Sequence, residues 1–256
     1  MAAAPASTTD VLVALTRTDL KVRYGRGPLR RVKWLLDPVA ALGVYLVLIA
    51  LVIDREGEAA GLSVACAVVP FQLIMMTVVN ALRAVELRRS IVANMGFRRI
   101  LLPISSALTE LVGFLGTLVL LPIMMAVYLV APTPAVLLLP VMIAVALVLA
   151  VALAYPASLL GLWVPELNPF AISAVRTLFF VAPGVIALDE VFGTTHDVLK
   201  VNPLSGVFEG FRAVLLSGEA PALWHVLVPL GYAVVLLAVF VPLYRREERH
   251  FAKLIQ

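Results

Sequence analysis

A chain of 256 residues that is 62% hydrophobic and 14% charged, with a mean hydropathy of +1.03, carries more apolar surface than a soluble domain of this size can bury. Its net charge of +4 lies beside apolar runs rather than on one polar face, which argues against a nucleic-acid partner. The single cysteine, Cys66, excludes an intrachain disulfide, and its apolar setting makes it a packing residue rather than a redox centre.

In chain order, a charged segment precedes any long apolar run, so no cleaved signal is expected. Residues 9–24 predict an amphipathic helix on the inner surface. Val11, Leu15, Thr18 and Val22 form its stripe, and Asp19 is spaced to pair with Arg23. Gly25, Gly27 and Pro28 end it. A helix needs about 20 apolar residues to cross the hydrocarbon core. Six runs approach that length: 34–53, 59–82, 111–131, 135–163, 171–188 and 222–244. The third and fourth are parted by Pro132-Thr133-Pro134, and the fifth carries Arg176 and Pro183. The fold class is an all-α membrane protein, one transmembrane domain over 1–256.

Sixteen of the twenty Lys and Arg residues fall in three stretches, 17–33, 83–99 and 245–253. Basic residues stay on the cytoplasmic side, so these stretches place both termini inside. Segments assigned to the outside are acidic, with Asp54, Glu56, Glu58, Asp189, Glu190, Asp197, Glu209 and Glu219 against Arg55, Lys200 and Arg212. The outer segment 189–221 holds two apolar pieces, 198–201 and 207–216, around Asn202-Pro203. Neither can span. They read as short re-entrant or interfacial helices at an outer mouth, because irregular backbone at membrane depth must be covered by protein or reached by water.

No G-x-x-x-x-G-K-[ST] loop is present, so if ATP drives this chain a separate subunit supplies the nucleotide fold. His196, His225 and His250 are scattered, and no spacing suggests a metal site or a catalytic residue. Asp37, Glu110 and Arg176 are placed near the cytoplasmic ends of their spans, where they read as anchors or inter-helix partners, with a transport role as the other reading. The lack of a mid-membrane carboxylate argues against secondary transport. Within 86–97, Leu87, Ile91 and Met95 recur at i,i+4 and Gly96 suits a C-terminal cap. This helix fits a groove on a partner or, equally, a loop lying on anionic lipid.

The chain resembles the permeases of ABC exporters that move lipid-linked polysaccharides such as O-antigen, teichoic acid and capsule. The likeness rests on the opening segment 15–24, Trp34-Leu35-Leu36-Asp37-Pro38, the loop 94–103, Asn202-Pro203-Leu204 with Phe208-Glu209-Gly210-Phe211-Arg212, and the tail 245–252. It implies six transmembrane helices, a homodimer, and two copies of a cytoplasmic ATPase that holds ATP and Mg, with no cofactor on this chain. It further implies a multi-pass protein of the bacterial plasma membrane, carrying a lipid-linked glycan out of the cytoplasm. A drug or small-lipid exporter of the same fold is the alternative. Carried over by position, Glu86, Arg88, Arg89, Ile91, Met95 and Phe97 belong to the coupling helix that meets the ATPase. Arg26, Arg30, Arg31, Lys33 and Trp34 belong to the inner gate. Asn202, Pro203, Phe208 and Phe211 belong to the outer gate. Tyr45, Phe71, Phe179 and Phe180 are candidates to line the glycan path.

Overall fold

The computed structural model describes residues 7–24, 59–84 and 98–247, with isolated positions 40 and 43. The expected span 34–53, the cytoplasmic helix 86–97 and the tail 248–256 lie outside the described residues. Among the described residues the fold is all helix, with no strand.

Helix α1, Thr8–Tyr24, starts from a capping box. The Asp10 N–H donates to Ser7 Oγ at 3.1 Å, and the Ser7 N–H and hydroxyl donate back to Asp10 Oδ2 at 3.2 and 2.7 Å. Lys21 and Arg23 in its last turn suit the helix dipole. Its buried face runs through Leu15 and Leu20. The stripe read from sequence is thus rotated: Val22 is 82% exposed and Thr18 faces outward. The cause is polar, because Asp19 and Arg23 are drawn to Thr109 and Glu110, as described below.

Among the described residues four helices are long and apolar enough to cross a membrane: Ala60–Leu82, Leu101–Val127, Pro134–Trp163 and Leu223–Glu247. This is a multi-pass membrane protein. The first, α2 (Ala60–Leu82), is the centre of the bundle and is buried along most of its length, Cys66 included. The second comprises α3 (Leu101–Thr117) and α4 (Leu120–Val127). The interruption falls at Leu118 and Val119, where Pro122 offers no N–H and its ring crowds the carbonyl four residues back. This span begins at Leu101 rather than at residue 111. A turn at Pro134–Leu138 leads into α5, Leu139–Trp163. Gly161 lets α5 cross the end of α2: a Cβ there would lie 1.8 Å from the Leu82 carbonyl oxygen.

After a turn at Pro165–Leu167, α6 covers Asn168–Val181. It is displaced from the expected 171–188 and shorter. Fourteen residues rise about 21 Å, against a hydrocarbon core of about 30 Å. Pro183 ends it by holding Ala182 in extended backbone, φ −81° and ψ 162°. Then come α7 (Thr194–Val201), α8 (Pro203–Arg212), a π turn at Ala213–Ser217, and α9 (Leu223–Glu247).

Charge is sorted between the two ends of this bundle. At one end Leu15, Ala84, Leu102, Tyr155, Leu159 and Tyr244 form a cluster. Tyr155 stacks edge-on to Tyr244 at 5.5 Å and donates to the Ile100 carbonyl at 3.2 Å. Arg83, Arg98, Arg99, Arg245 and Arg246 flank the helix ends that meet there. At the other end Thr133 donates to the Gly218 carbonyl at 3.1 Å, and the acidic residues Asp189, Glu190 and Asp197 lie in the segments nearby.

Candidate functional site

Within the segment between α6 and α9, α8 is buried, whereas α7 has no buried residue. Asn202 caps α8, its Oδ1 accepting the Leu204 N–H at 3.0 Å, and Pro203 fills the first helical position, where no N–H is needed. Every residue of α8 from Leu204 to Arg212 is buried. Two glycines allow this. A Cβ on Gly206 would lie 2.9 Å from the Pro229 ring of α9, and one on Gly210 would lie 2.1 Å from Cε of Met142 in α5. Small residues one turn apart let helices approach closely inside a membrane.

Phe208 projects from α8 into an aromatic cluster. Its ring centroid is 6.1 Å from Phe71 of α2 and 6.0 Å from Phe179 of α6, and Phe71 and Phe179 are 5.2 Å apart. Such pairs contribute about 0.5–1.5 kcal/mol each beyond area burial. Phe211 is fully buried beside them. Among the residues anticipated as outer gate or path, Phe71, Phe179, Phe208 and Phe211 are buried within this chain, whereas Phe180 is 60% exposed. Tyr45, the inner-gate residues 26–34 and the coupling-helix residues 86–97 lie outside the described residues.

The charges on α8 hold this arrangement together. Arg212 Nη1 donates to Glu209 Oε1 at 2.6 Å and to the Pro183 carbonyl at 2.8 Å. Nη2 donates to the Gly184 carbonyl at 3.0 Å, and Nε is 3.1 Å from both the carbonyl and the hydroxyl oxygen of Ser63. Glu209 Oε1 also accepts the Leu188 N–H at 2.9 Å. One guanidinium thus ties α8 to the start of α2 and to the break after α6. Glu209 and Arg212, counted from the sequence among the charges of the outer segment, lie inside its short buried helix. The legible signal was their i,i+3 spacing inside a run capped by Asn-Pro and flanked by Phe208 and Phe211. A charge pair surrounded by apolar positions signals a buried bridge.

A second polar knot joins α1 to the spans. Glu110 of α3 accepts from Arg23 of α1 and from Asn80 of α2, and Thr109 lies 3.3 Å from Asp19 Oδ2. Glu110 is buried and stands about 14 Å along the helix from Leu101. It is therefore not an end residue of its span, because Arg23 and Asn80 answer its charge internally. Arg176 also differs from expectation, lying past the middle of α6.

No protein-family model matches the chain. Among curated proteins it is 21% identical over 249 residues to an O-antigen export system permease protein RfbA of Klebsiella pneumoniae, covering 96% of this chain and 95% of the relative. It is 23% identical over 248 residues to the protein of that name in Myxococcus xanthus, again covering 96% and 95%. The chain is similar to O-antigen export permeases. A second Klebsiella pneumoniae permease of the same name is 22% identical over 210 residues, or 82% of this chain. The first two likenesses run nearly end to end, so they take in α1, the four described membrane-length helices and the α7–α8 segment together.

Proposed function

We propose that this chain is the membrane subunit of an ATP-driven exporter that moves a lipid-linked polysaccharide from the cytoplasm across the plasma membrane. The observation that carries this reading is the end-to-end likeness to O-antigen export permeases in a chain with four membrane-length apolar helices among its described residues. In this reading two copies form the path, and the segment 34–53 and the short helix α6 complete six membrane segments per copy. Both termini face the cytoplasm, in keeping with the basic residues gathered at one end of the bundle. A separate ATPase supplies ATP and Mg and presses on 86–97.

The parts have distinct tasks. α1 is a surface helix tied to the spans through Arg23 and Glu110, so a push on the inner face reaches α2 and α3. α7 and α8 form the outer gate, and the Arg212 bridge keeps α8 in register with α2 and the end of α6. This chain performs no covalent chemistry; its work is to bind, guide and gate. The test is deletion of the gene. Loss of a surface glycan with lipid-linked polymer retained inside is the expected result. Intact glycans with altered drug tolerance would overturn the cargo and favour the small-molecule alternative.

A further inference from the structure

We propose that the face of α6 bearing Ser173, Arg176 and Thr177 lines a polar path at membrane depth, and that Arg176 there binds the phosphate group of a lipid-linked cargo. This rests on the export reading and names a contact within it.

The depth of Arg176 follows from its neighbours. Ile172 packs with Val78, Ala81 and Leu82 of α2, and Phe179 packs on Phe71. Arg176, midway between Ile172 and Phe179, therefore stands level with Ile74. That is about 12 Å from the Leu82 end of α2, further than an arginine stem reaches to find headgroups.

α6 has two unlike faces. Ala171, Val175 and Leu178 line an apolar cavity of about 440 Å³ shared with α2 and α5. At 100° per residue, Ser173, Arg176, Thr177 and Phe180 fall on the opposite side, and all four are exposed. The two hydroxyls donate to carbonyls of their own helix, Ser173 to Pro169 and Thr177 to Ser173, both at 3.0 Å. Arg176 makes no hydrogen bond or ion pair with the described residues. In this it is unlike Glu110, Glu209 and Arg212, which are buried and paired.

An unpaired cation at this depth facing hydrocarbon is costly, and such residues face a partner, a cavity or water. The guanidinium fork matches phosphate oxygens two at a time, and the low dielectric strengthens that pairing. A diphosphate-linked lipid carries that group; so does an ordinary anionic phospholipid.

The experiment uses Cys66→Ala as background, since Cys66 is buried and is the one cysteine. Single cysteines replace Arg176, Thr177 or Val175, and the permease complex in membranes is treated with a water-soluble thiol reagent. Positions 176 and 177 are expected to label and 175 to stay unlabelled. Added polyprenyl diphosphate is expected to slow labelling at 177, and phosphatidylglycerol is not. Adding Arg176→Gln is expected to raise the polyprenyl diphosphate needed for half-protection at least tenfold. Absence of labelling at 176, equal protection by phosphatidylglycerol, or unchanged half-protection in Arg176→Gln would each overturn the inference. Glycan export by the unaltered chain is scored in parallel. If it exports while 176 stays unlabelled, this contact fails alone; if it exports no glycan, the export reading fails.

Discussion

Arg212 and Ser63 meet inside the bundle, the guanidinium Nε lying 3.1 Å from both the carbonyl and the hydroxyl oxygen of the serine. The contact joins residues 149 apart in sequence and places α8 against the first turn of α2. With Glu209, it turns what would be a surface connection into a buried element.

Removing one side of this bridge leaves a buried charge with no answer. Arg212→Ala is expected to destabilise the protein by about 3–5 kcal/mol. Replacing both charges by apolar groups, as in Glu209→Leu with Arg212→Met, is expected to recover part of that loss. Thermal unfolding in detergent measures both. Equal losses in the single and double variants would contradict the bridge.

The Glu110 knot should be more forgiving, because the Arg23 side chain is 27% exposed and reaches water once its partner is gone. Glu110→Gln is expected to cost about 1–3 kcal/mol and to loosen α1 specifically. Hydrogen exchange across Thr8–Tyr24 would rise while that of α8 stays protected. Unaltered exchange in α1 would show that the pair does not hold the helix.

Close helix crossings make a sharper contrast. Gly161→Ala drives a methyl into the Leu82 carbonyl and is expected to cost about 1–3 kcal/mol or more. Gly231→Ala, with nothing within 4 Å, is expected to be neutral or to stabilise by up to about 1 kcal/mol through helix propensity. Thermal unfolding of the two variants side by side tests the packing.

The aromatic cluster predicts one more outcome. Phe208→Ala removes a fully buried ring that touches Phe71 and Phe179, and should cost about 3–5 kcal/mol. Phe180→Ala, at an exposed position, should leave the unfolding temperature nearly unchanged.

Much of this fold was readable from apolar run length. The runs 59–82 and 222–244 correspond to Ala60–Leu82 and Leu223–Glu247 within a few residues. The third run was read short because Glu110 looked like a boundary. A lone carboxylate in sequence marks an interface, but Arg23, 87 residues away, and Asn80 make it an interior residue. The same limit hid Arg212, whose partners Ser63, Pro183 and Gly184 come from two other segments. The i,i+3 spacing of Glu209 and Arg212 is a local signal, but the distant partners of Arg212 and Glu110 leave none. The fifth run failed for another reason: hydropathy ignored the break that Pro183 imposes.

Transport itself is the most direct measurement. Inverted membrane vesicles carrying this chain and its ATPase would be given lipid-linked polysaccharide and ATP. ATP-dependent accumulation of polymer in the lumen, abolished in vesicles without this chain, is the predicted result. Polymer remaining outside while the ATPase turns over would contradict it.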